Sequence, residues 1–376
     1  MPPICVMLKP ASGSCDLRCQ YCFYHDITEN RLCPNYGMMS EATLEAVIQK
    51  TLAYAEGSCS FIYQGGEPTL AGLEFYRKSL ALQKKYAPVG LRIENSIQTN
   101  GYRIDKEWAK FFADNQFLVG ISLDGTRKTH DAYRRSPSGE GTFFRIMETI
   151  DLLNRYQVEY NILTVVHRQT AARIKEIYTF YKKHQFRYLQ FIPCLDPIGE
   201  TGGQYEYSLT PEQYGTFLKD LFKLWYEDLQ KGQQPYIRQF ENYIGIFLGY
   251  MPAACEQRGI CGKQYVVEAD GEVYPCDFYM LDEYQLGNLN EVDYPQIDKT
   301  RRELQFVERS MPVSKQCRDC RFYKLCRCGC NRMRIPHPNG GSINYFCEAY
   351  QAFFSEYEDT LRQIADTIAA HQQNRT

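Results

Sequence analysis

Three cysteines stand close together near the amino end of the chain, Cys15, Cys19 and Cys22, spaced C-x3-C-x2-C and followed by Phe23 and Tyr24. A short loop can turn three thiolates toward one point, holding three corners of an iron-sulfur cube while the fourth iron stays open to a ligand. Adding His25 gives C-x3-C-x2-C-x2-H, which is also the donor set of a structural zinc knot, so spacing alone leaves zinc as an alternative.

A second group of thiols lies toward the carboxyl end. Cys255, Cys261 and Cys276 lead to Cys317-x2-Cys320-x5-Cys326-x3-Cys330 and a last Cys347. These eight suffice for two fully ligated iron-sulfur clusters or for two four-thiolate zinc sites. Cys328 adds a ninth thiol inside the C-x3-C loop and stands as a competing ligand. Cys5, Cys33, Cys59 and Cys194 have no ligand-like spacing and are expected to be buried free cysteines.

Charge and hydropathy narrow the classes of function. The formal net charge is -2 and no block of five like charges occurs, so neither nucleic acid nor an anionic membrane surface is an expected partner. The amino-terminal apolar run is too short for a signal peptide, and no later run reaches membrane-spanning length. A cytoplasmic location follows as the expectation, and there the 16 cysteines serve better as metal ligands than as disulfides.

The elements that must position these residues follow a β/α rhythm. Strands are expected over 4–10, 60–64, 92–98, 117–123, 159–166 and 188–194, alternating with helices over 40–54, 73–86, 105–114, 142–156 and 170–184. Ser40 is the expected N-cap of the first of these helices. Six strand-helix units fall short of the eight of a closed barrel, so the expected fold is α/β, an open, partial (β/α)6 TIM-type barrel. Polar residues at its strand ends, Gln64, Gln98, Asn100, Ser122 and Asp124, would line the active mouth or satisfy turns. A helix over 209–229 is capped by Thr210 with Pro211 in its first turn. After the connector Lys231–Pro235 the alternation is expected to stop, dividing the chain into 1–234 and a cysteine-rich 235–376 that ends in a helix. There, 264–274 reads as a hairpin with Asp270-Gly271 as a two-residue turn that would bring Cys261 and Cys276 together.

The C-x3-C-x2-C run with Tyr21 before its last cysteine resembles the signature of the radical S-adenosylmethionine (SAM) enzymes. Gly65-Gly66-Glu67-Pro68 resembles their GGEP motif, and the later cysteine order resembles a SPASM domain. Over nearly its whole length the chain resembles the anaerobic sulfatase-maturating enzymes of that superfamily. The segments that carry this are Leu8–Ser12, Cys22–His25, Tyr63–Leu70, Gln98–Gly101, Gln190–Ile192 and Tyr274–Tyr279.

The resemblance implies SAM and three 4Fe-4S clusters. Cys15, Cys19 and Cys22 would hold the SAM-binding cluster. Cys255, Cys261, Cys276 and Cys330 would hold an inner auxiliary cluster, and Cys317, Cys320, Cys326 and Cys347 an outer one. It implies a 5'-deoxyadenosyl radical that oxidises a cysteine or serine in a sulfatase, within a C/S-x-P/A-x-R type motif, to Cα-formylglycine. An electron donor such as flavodoxin or ferredoxin would serve it. Tyr21, Gly65, Gly66, Glu67, Ser122, Arg134 and Leu195 are implied SAM contacts, with Arg135 competing for the place of Arg134, and Tyr24, Gln64 and Gln98 are implied peptide contacts. Asp277 is the implied general base, its carboxyl expected to be raised by desolvation, with a turn-bonding role as the alternative. Another SPASM enzyme that crosslinks ribosomal peptides is the alternative activity. Such enzymes often carry an amino-terminal peptide-binding extension, for which a cluster loop beginning at Cys15 leaves no room.

Overall fold

The computed structural model describes residues 3–200 and 202–373. The chain runs β1 (Ile4–Leu8), α1 (Phe23–Glu29), α2 (Glu41–Tyr54), β2 (Ser58–Tyr63), α3 (Leu73–Tyr86), β3 (Arg92–Thr99), α4 (Lys106–Asp114), β4 (Leu118–Ser122), α5 (Arg127–Tyr133) and α6 (Phe143–Arg155). It continues through β5 (Tyr160–Val166), α7 (Arg168–Ala172), α8 (Ile174–Lys183), β6 (Tyr188–Pro193), α9 (Pro211–Leu229), β7 (Tyr236–Ile237) and α10 (Arg238–Phe247). The cysteine-rich part contributes β8 (Tyr265–Val267), β9 (Val273–Tyr274), α11 (Tyr294–Leu304), α12 (Lys315–Arg318), α13 (Tyr323–Cys326), β10 (Arg334–Pro336), β11 (Ser342–Asn344) and α14 (Cys347–Gln373). Among the described residues, no helix is long and apolar enough to cross a membrane.

Two compact units group these elements. The first comprises residues 1–123, 130–162 and 263–306, and the second 124–129, 163–262 and 307–376. In the first, β1 pairs in parallel with β2, β2 with β3, and β3 with β4. Val6, Leu8, Phe61, Tyr63, Ile97 and Ile121 are buried, and in β1 and β2 they alternate with more exposed neighbours, as side chains on opposite faces of a strand do. The other edge of β1 is taken by β8, in parallel register Val6↔Tyr265 through Leu8↔Val267. Residues 263–306 therefore build onto the first unit's sheet.

In the second unit, β6 pairs in parallel with the short β7. The long helices α9 and α14 pack through aromatic contacts, Tyr214 against Phe346 and Tyr350, and Phe222 against Phe353 and Tyr357. Ser40 caps α2 by accepting from the Thr43 N–H, and Thr210 forms a complete capping box with Gln213 on α9.

Several expectations are corrected. The alternation does not stop at 235, because β7 and α10 add one more strand-helix unit. A two-residue strand is too short to show any periodicity. The β8–β9 connection is not a two-residue turn. Glu268 N–H donates to the Glu272 carbonyl at 2.9 Å, leaving Ala269, Asp270 and Gly271 as a three-residue loop with Gly271 at φ +95, the form that needs a glycine in its last place. Helices α1 and α5 are additional to those expected. Cys59 and Cys194 are buried as expected, but Cys5 is exposed, since alternate residues of β1 face opposite sides, and Cys33, in the loop after α1, is half-buried.

Candidate active site

The cysteine loop is tied down by its neighbours in the first unit. Asp16, between Cys15 and Cys19, accepts from Asn100 Nδ2 and from Arg103 Nε, each at 2.8 Å. The Leu17 N–H points at Cys15 Sγ from 3.4 Å, and Asn100 Nδ2 lies 3.8 Å from the same sulfur. Burial, then the charge of Glu67 and the sulfurs of Cys19 and Cys22, pushes the Cys15 thiol well above its ordinary range. A thiol in that setting becomes thiolate when a metal takes the place of its proton, so the donor set fits a cluster. His25 is not turned toward this loop. Its ring is 64% exposed and reaches Glu29 at 3.4 Å, one turn along α1. Among the described residues, no three His, Cys, Asp or Glu side chains converge as a single metal ion would require.

The GGEP turn packs directly against that loop. Gly66, at φ +52, lies so close to the Ser14 carbonyl that a Cβ would collide with it, and the Glu67 N–H donates to the same carbonyl at 2.7 Å. The Glu67 carboxylate is 1% exposed and fully engaged. One oxygen accepts from Thr69 N, Thr69 Oγ1 and Thr99 Oγ1, the other from Asn100 N, all within 3.0 Å. Glu67 thus locks the turn to the end of β3.

Arg134 and Arg135 are separated by their surroundings. Arg134 is buried, with its guanidinium 5.4 Å from the Tyr21 ring centre and Nη1 3.8 Å from Cys19 Sγ. Arg135 turns back on its own loop, donating to the carbonyls of Asp131 and Gly139. Gln98 Nε2 donates to Ser122 Oγ at 3.2 Å, linking the ends of β3 and β4. In the second unit, Asp124 accepts from the Val165 N–H of β5 at 2.9 Å. Leu195 follows β6 there, half-buried.

Asp277, buried just beyond β9, is the centre of a network that sequence reading reached only in part. Its Oδ1 is paired with the fully buried ammonium of Lys9, and its Oδ2 accepts from Gln64 Nε2 at 2.8 Å. Lys9 follows β1 and Gln64 follows β2, so two adjacent strand ends hold the carboxylate. Gly65, at φ +100, is obligatory here, because a Cβ would strike Lys9 Cδ. The Lys9 ammonium also lies 4.7 Å from the centre of the Tyr24 ring. Tyr24 in turn donates to Glu268 Oε2 at 2.9 Å, and Arg31 Nη1 bonds the same oxygen at 2.7 Å. Burial and the Glu268 charge push the Tyr24 hydroxyl far up, so it stays a donor.

Two cations and two carboxylates are buried together and balance, the condition under which buried charge is tolerated. Lys9, Arg31 and Glu268 were not among the residues singled out from sequence. The one local signal was a lysine ending an apolar strand. Tyr24 and Gln64, expected to touch peptide, are bonded to Glu268 and Asp277.

The remaining cysteines fall into two sets. Cys255 and Cys261 lie near Cys330 in the second unit, and Cys330 is pushed up to about 12 by burial, with both thiols adding to it. Cys276 lies in the first unit, half-buried beyond β9. Cys317, Cys320, Cys326 and Cys347 line one cavity with Phe322 and Tyr350, and Cys328 lines it too. Burial is the leading cause that lifts Cys326 to about 12 and Cys347 to about 11. Five thiols line the cavity, one more than a four-iron cluster takes as ligands.

Comparison with known proteins agrees with this arrangement. Residues 10–181 match the radical SAM superfamily, and residues 255–321 match the SPASM iron-sulfur cluster-binding domain. A cysteine-type anaerobic sulfatase-maturating enzyme of Clostridium novyi is 46% identical, covering 99% of this chain and 100% of its own. A serine-type one of Bacteroides thetaiotaomicron is 33% identical, covering 96% and 92%. The solved structure of native anSMEcpe with bound AdoMet and Cp18Cys peptide superposes with a TM-score of 0.92 at 42% identity, covering 98% of this chain and 100% of that one. With a cysteine loop, a GGEP turn and a thiol-lined cavity in place, and with relatives matched from end to end, the chain belongs to the anaerobic sulfatase-maturating enzymes of the radical SAM superfamily.

Proposed function

We propose that this enzyme oxidises a cysteine residue of a sulfatase polypeptide to Cα-formylglycine, with Asp277 as the base. Oxidation of cysteine or serine to formylglycine is the reaction of the family. The choice of cysteine is supported by the higher identity to relatives named cysteine-type than to those named serine-type. The three cluster ligand sets are proposed as read from the cysteine order.

SAM on a reduced 4Fe-4S cluster, when bound, supplies the 5'-deoxyadenosyl radical that removes a β-hydrogen from the target residue. Cys15, Cys19 and Cys22 would hold that cluster. Gly66, Ser122, Leu195 and the stack of Arg134 on Tyr21 would orient SAM, with Arg134 offering its paired N–H groups to a carboxylate.

The target thiol must also lose its proton, and Asp277 would take it. The observation that carries this is the double anchoring of its carboxylate by Lys9 and Gln64. Each oxygen keeps a lone pair beyond those two bonds. The ammonium offsets the cost of burying the charge, and the two fixed contacts hold the base in one orientation, as a positioned base requires. The oxidation removes two electrons, one with the hydrogen atom taken by the 5'-deoxyadenosyl radical and one from the carbon radical left behind. Water then supplies the aldehyde oxygen and sulfide leaves, and an electron carrier of the flavodoxin or ferredoxin kind would supply the electron that starts SAM cleavage. The test is incubation of anaerobically purified enzyme, SAM and reductant with peptides containing C-x-P-S-R or S-x-P-S-R. Aldehyde formation on the cysteine peptide is the expected result, and a thioether or carbon-carbon crosslink in its place would overturn it.

A further inference from the structure

Cys328 has no ligand role in the cluster assignments above, yet its side chain is 1% exposed and lines the same cavity as Cys317, Cys320, Cys326 and Cys347. It packs against Val313 and Cys317. Its S–H faces the Ser342 carbonyl at 3.7 Å, and its side chain packs beside the thiol of Cys317, a second acceptor for the same proton. The backbone is left-handed here, with Arg327, Cys328 and Gly329 at φ +47, +66 and +63. Glycine suits such a position and a Cβ strains it, so the thiol is kept against the preference of the loop.

We propose that Cys328 is a fifth, non-ligating thiol of the outer cluster site, donating its S–H to the sulfur of Cys317 and raising the reduction potential of that cluster. This rests on Cys317, Cys320, Cys326 and Cys347 being the ligands, four thiols for four irons, which leaves the fifth surplus. Once Cys317 is a metal-bound thiolate, it is a charged acceptor where the Ser342 carbonyl is neutral. Charge-assisted hydrogen bonds are about twice as strong as neutral ones, so the proton turns toward sulfur. Reduction adds negative charge to the cluster sulfurs, so the bond strengthens in the reduced state and favours it.

The experiment compares the full chain, reconstituted without oxygen, as wild type, Cys328→Gly and Cys328→Ser. Glycine relieves the left-handed backbone, so that variant folds, and serine keeps a donor. Iron and sulfide should be equal in all three, at about twelve irons per chain. In an EPR-monitored redox titration, one auxiliary cluster of Cys328→Gly should become harder to reduce by up to about tenfold, equivalent to ~59 mV for one electron, with Cys328→Ser in between. Loss of about four irons in Cys328→Gly would make Cys328 a ligand and overturn the proposal, as would an unchanged midpoint at full iron content. A wild-type chain holding about eight irons would instead remove the outer cluster itself, and the proposal with it.

Discussion

The Lys9 ammonium, wholly buried at the end of the first strand, is the ion-pair partner of Asp277, 268 positions away in the chain. Removing one member of a buried pair leaves the other uncompensated, at a cost of about 3–5 kcal/mol. Lys9→Met should therefore destabilise the protein by an amount in that range, measured by denaturant midpoint without oxygen. Lys9→Met/Asp277→Asn should recover part of that stability and none of the peptide oxidation. Full recovery of turnover in the double variant would show that neither group serves the reaction.

Asp277→Asn alone removes the base and keeps the shape. Peptide oxidation should fall by at least about 100-fold, the lower end of what a positioned base contributes, while formation of 5'-deoxyadenosine from SAM persists. Loss of both reactions together would assign Asp277 a structural role.

Gly65 tests the same network from its other side. Gly65→Ala puts a methyl group where the Lys9 side chain passes and strains a backbone at φ +100. Peptide oxidation should fall, whereas the iron content, set by cysteines on the neighbouring loop, should hold. An active Gly65→Ala enzyme would mean that Lys9 need not occupy its present path.

Most of what was legible in the sequence is local. The strands and helices from β1 to α9 other than α1 and α5, the N-caps Ser40 and Thr210, and the cysteine spacings all report on residues a few positions apart, where periodicity and capping chemistry act. What was hidden is pairing across the chain. Lys9 with Asp277, and Arg31 with Glu268, 237 positions apart, depend on β8 docking beside β1, which no local pattern encodes. The same docking explains why Tyr24 and Gln64 stand out in sequence yet spend their hydrogen bonds on Glu268 and Asp277. β7 was missed because two residues carry no period, and Gly271 was read correctly as a turn residue but placed in too short a turn.

Glu67 gives the last prediction, one of stability against pH. Burial pushes its carboxyl upward, with the donors from Asn100, Thr69 and Thr99 opposing that without cancelling it. The folded-state value thus lies above the ordinary 4.5. The fold binds the proton more tightly than the unfolded chain, so this contribution is present in full below the unfolded value and is lost as pH rises through the folded one. Glu67→Gln cannot titrate, and its amide turns an N–H₂ toward donors that had faced a carboxylate oxygen. It should be less stable by about 1–3 kcal/mol. The gap between wild type and variant should narrow as pH climbs from about 4.5 upward, read from urea midpoints at several pH values. A gap that widens with pH would show that the four donors outweigh burial and hold Glu67 as the anion.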